Sequence, residues 1–428
     1  MTRANKMGRF ALGALVLLMN ATALQAQQAN PSVVAFGMGN NYTAAARGYE
    51  TIGWNPAMLA IGAQPKFSVG ALIGGANGGL APVDVQDIAD YSGVTIPRSV
   101  RQGWVNDLRN SSKSETGALD GGVTFLALSW GHMAAQVSAS AGANMNLNAD
   151  ALETMLLGNA DAVASNRTLR PSGGLTASAF ITSAVSWSKA LNWKPMGAKD
   201  ESFALGVTGK WVLGAANVRV QDAGSTITKD AITARFPAVF SSGTDAGSGI
   251  GMDVGAAWHG GNTTVGLTVM NLFNSFAWDG AGFECIPMTI DIDVNRTNTS
   301  TEKAACSGST QVQVDAATAM KFMPSIRAGA AWTGLTKWTL TADVQSQLGD
   351  EAETIVLGPK TSVGVGAEYR GLAMLPLRGG FSVIEGGTQM AGGAGLRFGR
   401  YEFNVGMQLR NVDGMSSTNV MLGLLSVR

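Results

Sequence analysis

The feature that most restricts the fold of this 428-residue chain is a succession of short stretches in which apolar residues alternate with polar or small ones. Strand side chains point to opposite faces with period 2. Between Tyr401 and Arg410, Tyr401, Phe403, Val405, Met407 and Leu409 therefore share one face, and Glu402, Asn404, Gly406, Gln408 and Arg410 the other. Phe203, Leu205, Val207 and Trp211 stand against Thr208 and Lys210 in the same way, and Ile250, Met252, Val254 and Trp258 against Asp253. About 14 such stretches follow residue 65, with lengths suited to tilted strands that cross a bilayer in about 9–11 residues. They lie at 66–73, 122–130, 132–147, 174–190, 201–214, 248–259, 262–273, 321–333, 337–348, 361–370, 376–384, 388–399, 401–411 and 418–428.

An even number of antiparallel strands closes a barrel, with short turns on the periplasmic side and long loops outside. The connections follow that rhythm. Long ones at 74–121, 149–173, 215–247, 274–320 and 349–360 all fall at odd positions, whereas Gly131, Gly260–Gly261, Gly334–Thr336 and Arg400 mark short turns. The expected fold is all-β, a transmembrane antiparallel β-barrel of about 14 strands over residues 66–428. A soluble β-sandwich also alternates, but it explains neither the loop rhythm nor apolar faces ending in Trp211, Trp258 and Trp332, which suit a membrane interface.

Composition supports a chain covered by something other than water. Hydrophobic residues make up 46% and charged ones 14%, against about 25% charged in a soluble domain. After the first 26 residues, no apolar run is long enough for a membrane helix. The 30 basic residues are matched by 30 acidic ones, so there is no basic surplus for nucleic acid.

Arg3, Lys6 and Arg9 precede the apolar run Phe10–Met19, and small residues continue to Ala26. This pattern predicts a secretory signal at 1–26, cut after Ala26, and export to the bacterial outer membrane. Cys285 and Cys306, the only cysteines, share one polar insertion. An oxidising periplasm favours a disulfide between them over two free thiols. Residues 27–65 precede the first strand and hold Trp54-Asn55-Pro56-Ala57-Met58, where Pro56 forbids a continuous helix or central strand and Asn55 can bond to local backbone.

The stretch from Gly37 through Ala46 to Asn55-Pro56-Ala57 resembles the N-terminal hatch of the FadL family of outer-membrane transporters. Val363-Gly-Val-Gly-Ala-Glu-Tyr-Arg370 and Pro376-Leu-Arg-Gly-Gly-Phe-Ser382 are similar to late strands of that family. The resemblance implies a barrel with a hatch at 27–65 and passive uptake of long-chain fatty acids or other hydrophobic compounds. Cargo would be caught by outer loops, held in a lumenal pocket and released by hatch movement, axially or sideways. Relatives of the PorV and TraF types share the hatch phrase, and they imply an alternative role as a structural or secretion-associated barrel that binds protein partners.

Residues 149–166 look helical, with Asp150 and Glu153 as a capping pair and Leu152, Met155 and Leu156 as an apolar landing patch. Phe273, Phe276, Trp278 and Phe283 form a second apolar group near Cys285. A carboxylate head group would need an inward Arg at the end of an apolar pocket, for which Arg327, Arg378 and Arg397 are the candidates. Packing of loops and mutual pairing of lumenal charges explain the same residues without a ligand. Only His132 and His259 are histidines, both beside expected periplasmic turns, and no G-x-S-x-G, H-E-x-x-H or P-loop spacing occurs. The chain reads as no enzyme, without a metal or cofactor.

Overall fold

The computed structural model describes residues 32–111, 114–197, 200–293, 295–349, 354–355, 359–412 and 415–427. The export signal expected through Ala26 lies outside them.

Strands β1 (Phe67–Ala81), β2 (Glu115–Trp130), β3 (Met133–Leu147), β4 (Gly173–Leu191), β5 (Ser202–Gln221), β6 (Ala238–Gly260) and β7 (Thr263–Asn274) form one half of a wall. The other half comprises β8 (Ser325–Trp332), β9 (Trp338–Gln347), β10 (Thr361–Tyr369), β11 (Leu377–Ile384), β12 (Gly387–Phe398), β13 (Tyr401–Val412) and β14 (Met415–Val427). Each strand pairs antiparallel with its neighbours in sequence, and β14 pairs with β1 from Val69 opposite Val427 to Gly78 opposite Thr418. This is a closed 14-stranded antiparallel barrel. Two short segments, Ala277–Trp278 and Glu284–Ile286, add to the edge of β6 above β7.

The period-2 reading holds where it was clearest. In β13, Tyr401, Phe403, Val405 and Met407 are exposed while Glu402, Asn404, Gly406 and Gln408 are buried. Outward Val363, Met390 and Leu424 are more than half exposed, a state that lipid accommodates and water does not. A girdle of aromatics marks the rim that carries the short turns, with Trp130, Trp187, Trp258, Trp332 and Trp338 within a few residues of strand ends there. Trp211, expected to belong to it, lies mid-strand opposite Ser183 and Ile250.

Several strands run further than alternation foretold. β1 continues to Ala81 and β2 begins at Glu115, so their connection is 82–114 rather than 74–121. β5 and β6 reach 20 and 23 residues, which shortens the 215–247 connection to 222–237. The phase also slips. Register skips Leu72 in β1, Phe125 in β2 and the Leu424–Leu425 pair in β14, so consecutive residues face outward and the inward set changes parity. The wall is uneven in height as well. β11 to β14 have 8, 12, 12 and 13 residues, with β11 and β12 joined by a turn at 385–386 on the long-loop side, whereas β4 to β6 have 19 to 23.

Candidate functional site

Residues 32–66 lie inside the cylinder at the short-turn rim. A short helix α1 (Val33–Gly37), capped by Ser32 Oγ on the Ala35 N–H at 3.0 Å, opens the segment. Two 3₁₀ turns, Gly48–Gly53 and Pro56–Ala60, follow. Glu50 organises the segment from within, accepting from Ser32 Oγ at 2.7 Å and Tyr42 OH at 3.1 Å with 1% exposure. Asn55 caps the second turn through the Ala57 N–H at 3.0 Å, with Pro56 at the first position where its missing N–H costs nothing.

This segment fits because the inner wall is shaved down around it. A Cβ on Gly206 would overlap Pro56 and Ala57, one on Gly255 would overlap Asn55, one on Gly380 Met38, and one on Gly406 Phe36. The frequent glycine of this sequence is thus partly a matter of clearance inside the barrel. On one side the attachment is polar. Asn55 Nδ2 donates to Ala256 O of β6 at 3.0 Å, Thr43 N to Asp343 of β9 at 3.0 Å, and Gln408 Nε2 of β13 to Phe36 O at 2.7 Å. Asn41 bonds Val365 O and Ser382 Oγ, while Tyr49 OH reaches Ser426 Oγ at 2.9 Å. Against β2 to β5 the contact is apolar instead, with Ile52, Leu59, Met58 and Ile61 on Ala134, Ala184 and Ala204.

The long-loop end holds a second stopper. Phe180 of β4 meets Phe276, Trp278 and Phe322 with ring centroids 5.2–5.5 Å apart, and the helix Ser309–Ala319 carries Val314 and Ala317 into the same cluster. We number the long-loop helices α2 (Arg98–Ser111), α3 (Ala149–Leu156) and α4 (Ser309–Ala319). Cys285 and Cys306 are disulfide-bonded, and both pack with this cluster. Between the stoppers the wall is polar. Lys210 of β5 and Asp253 of β6 form an ion pair at 2.6 Å, each side chain at most 3% exposed, and Asn271 joins them by accepting from Lys210 and donating its N–H to Asp253. Asn271 has φ +51° and sits where the β6–β7 register shifts between Met252 and Val254.

The three arginines considered for a head group all point inward but do not share one site. Arg327 lies over the Trp54 ring at 4.8 Å and donates to Gly53 O, so it is committed to the plugging segment. Arg378 is fully buried between Glu368 at 2.9 Å, Glu402 at 2.7 Å and Asn404 at 2.6 Å. Arg397 is half-buried near the short-turn rim. Of the apolar candidates, Leu152 is buried against Val105 and Leu108 of α2, Leu156 packs beside them, and Met155 is exposed. Phe276 is in the aromatic stopper, whereas Phe273 faces outward and half exposed, separated from it by the turn through Asn274 and Ser275.

The expected 149–166 helix is two pieces, α3 and Ala160–Ala164, parted at Gly158 with φ +78°. Its cap is Asn148, whose side chain accepts from the Ala151 N–H at 2.8 Å. Asp150 and Glu153, read as the capping pair, instead hold Arg109 and Arg167, with Glu153 to Arg109 at 2.6 Å. Burial works against the charge on Arg109, but Glu153 and Asp150 outweigh it and raise its pKa above the ordinary value. The inward polar band and the ion pair at Lys210 were visible as charges; their partners required the register.

The barrel is similar to solved structures of outer-membrane channels. The TodX deltaS2S3 mutant monoaromatic hydrocarbon channel matches at 12% identity with a TM-score of 0.50, covering 94% of this chain and 99% of that one. The Ralstonia pickettii toluene transporter TbuX matches at 12% identity and 0.49, covering 94% and 98%. The P. putida toluene transporter TodX matches at 10% and 0.47, covering 95% and 99%. At such identity the first of these shows a common fold, the FadL/TodX-type outer-membrane barrel. No curated protein matches the sequence. Residues 53–345 match the family described as F plasmid transfer operon, TraF, protein, and a match over that much of the chain makes this protein a member of the TraF family.

Proposed function

We propose that the protein admits hydrophobic compounds, long-chain fatty acids among them, through the outer membrane by loop capture, occupation of the aromatic stopper and displacement of the plugging segment. The observation that supports this reading is a buried group of four aromatic rings, Phe180, Phe276, Trp278 and Phe322, set within the loop end of a membrane barrel. A greasy solute entering there exchanges ring–ring contact for ring–solute contact and loses little. A fold relative described as a monoaromatic hydrocarbon channel is in accord with it.

Equilibrium binding to the purified protein tests the reading, with oleate and toluene as probes. Saturable binding of at least one is expected, weakened tenfold or more in Phe276→Asp and in the milder Phe322→Ala. No saturable binding of either probe overturns it.

A second reading has its own support. The lumen between the stoppers is polar, and the plugging segment is hydrogen-bonded to β6, β9, β10, β11, β13 and β14, as suits a barrel that stays shut and works through its loops. The family name points to partners in a plasmid transfer apparatus. Absence of ligand binding, together with a stable complex with a transfer protein that is lost on deleting 148–172, favours this role.

A further inference from the structure

We infer that the lipid-facing wall carries a binding groove for one acyl chain of a resident membrane lipid, running across β2 to β7. The inference rests on the barrel being embedded in a membrane and is independent of what the lumen admits.

Register alone generates the groove. Leu128, Ala135, Val185, Gly209, Met252 and Phe273 are successive cross-strand partners, so they form one outward row around the wall. Its smallest residues are Ala135 and Gly209, one on each side of Val185. The next row toward the long loops is bulky, with Val137, Trp211 and Ile250 each more than 40% exposed. On the other side Val207 stands against Val254. A floor lowered at Ala135 and Gly209 between two ridges leaves a concavity of about 670 Å³, which Phe273 also lines. Small-molecule sites fall at about 300–1,000 Å³, so the space is enough for a specific occupant.

The occupant follows from where the groove lies. It is continuous with the exposed apolar belt that lipid must cover, and Ser183 and Gly209 alone interrupt its apolar outward side chains; Gln136 and Lys210 also border it, but both are buried within the wall. An empty channel of this size beside hydrocarbon forfeits the dispersion contacts of its walls. A flexible acyl chain lies along such a channel, whereas a flat neighbouring barrel would leave its floor unfilled. The floor also has room. A Cβ on Gly209 meets nothing within 4 Å, so a large side chain can be added there without disturbing the strand.

The full-length protein is reconstituted in phosphatidylethanolamine vesicles in which a fraction of the lipid carries a photoactivatable diazirine in its acyl chain. After irradiation, peptide mapping is expected to find labelling concentrated at least threefold on the groove strands, around 126–137 and 207–211, relative to the outward residues of β10 to β13. Gly209→Phe is expected to bring that labelling down to the level of the rest of the belt while migrating on unheated gels as a folded barrel. Even labelling round the belt overturns the inference, as does enrichment that Gly209→Phe leaves intact. Groove labelling that falls as the protein self-associates, with Gly209→Phe abolishing the oligomer, assigns the groove to a second copy and overturns it too.

Discussion

Asn55 shows how much one side chain can hold when two glycines make way for it. Its carbonyl oxygen caps the turn at Ala57 and its amide donates to the β6 backbone at Ala256, a geometry open only because Gly255 and Gly266 lack a Cβ. The motif was readable in the sequence as a local turn; its grip on the wall was not, because the partners are two hundred residues away. Asn55→Ala removes a cap worth about 1 kcal/mol and a hydrogen bond to the wall of about the same size. The plugging segment is then expected to leave its seat about 10- to 30-fold more often, seen as more frequent ion-current openings across planar bilayers. Unchanged current would show that Asn55 does not hold the seat.

At the scale of strands, alternation was legible wherever large apolar residues marked every second position, as in β13. It failed in two situations. The far end of β1, Gly74 to Ala81, is mostly glycine and alanine, which look alike on either face. At Leu72, Phe125 and Leu424 a bulge changes the face mid-strand, and only the neighbouring strand reveals that. The same limit separated Phe273 from Phe276, since the turn through Asn274 and Ser275 leaves one facing lipid and the other in the aromatic stopper. The charges of β10, β11 and β13 were visible too, but not that Arg378 would pair with both Glu368 and Glu402, with Arg370 a second partner of Glu368. Arg378→Met leaves two buried carboxylates without that partner, at a cost of about 3–5 kcal/mol. The unfolding midpoint on heat-modifiable gels should drop markedly, while Arg397→Met, half-buried at the rim, should move it by less than about 1 kcal/mol. Equal effects would mean that the Arg378 cluster adds nothing beyond its neighbours.

The whole molecule is a cylinder closed twice, by an N-terminal segment bonded to its wall and by a long loop stapled at Cys285–Cys306. The staple closes a sequence separation of 21 residues and restricts the free loop by about 3 kcal/mol. Reduction should therefore expose 286–305 to protease while the wall still migrates as a folded barrel; resistance of that stretch after reduction would assign the loop's order to packing alone. The unequal strand lengths have a further meaning for approach from outside. With a rise of about 3.3 Å per residue and a tilt near 40°, β11 climbs only about 20 Å, whereas β6 climbs about 58 Å. An apolar band of about 25 Å is taller than the first, which ends at the level of the bilayer, and leaves the second standing far above it. The mouth is thus cut on a slant, like the spout of a jug, with its lip at lipid level. Molecules gliding along the membrane surface meet that lip in two dimensions, while those arriving from bulk water on the opposite side face a parapet.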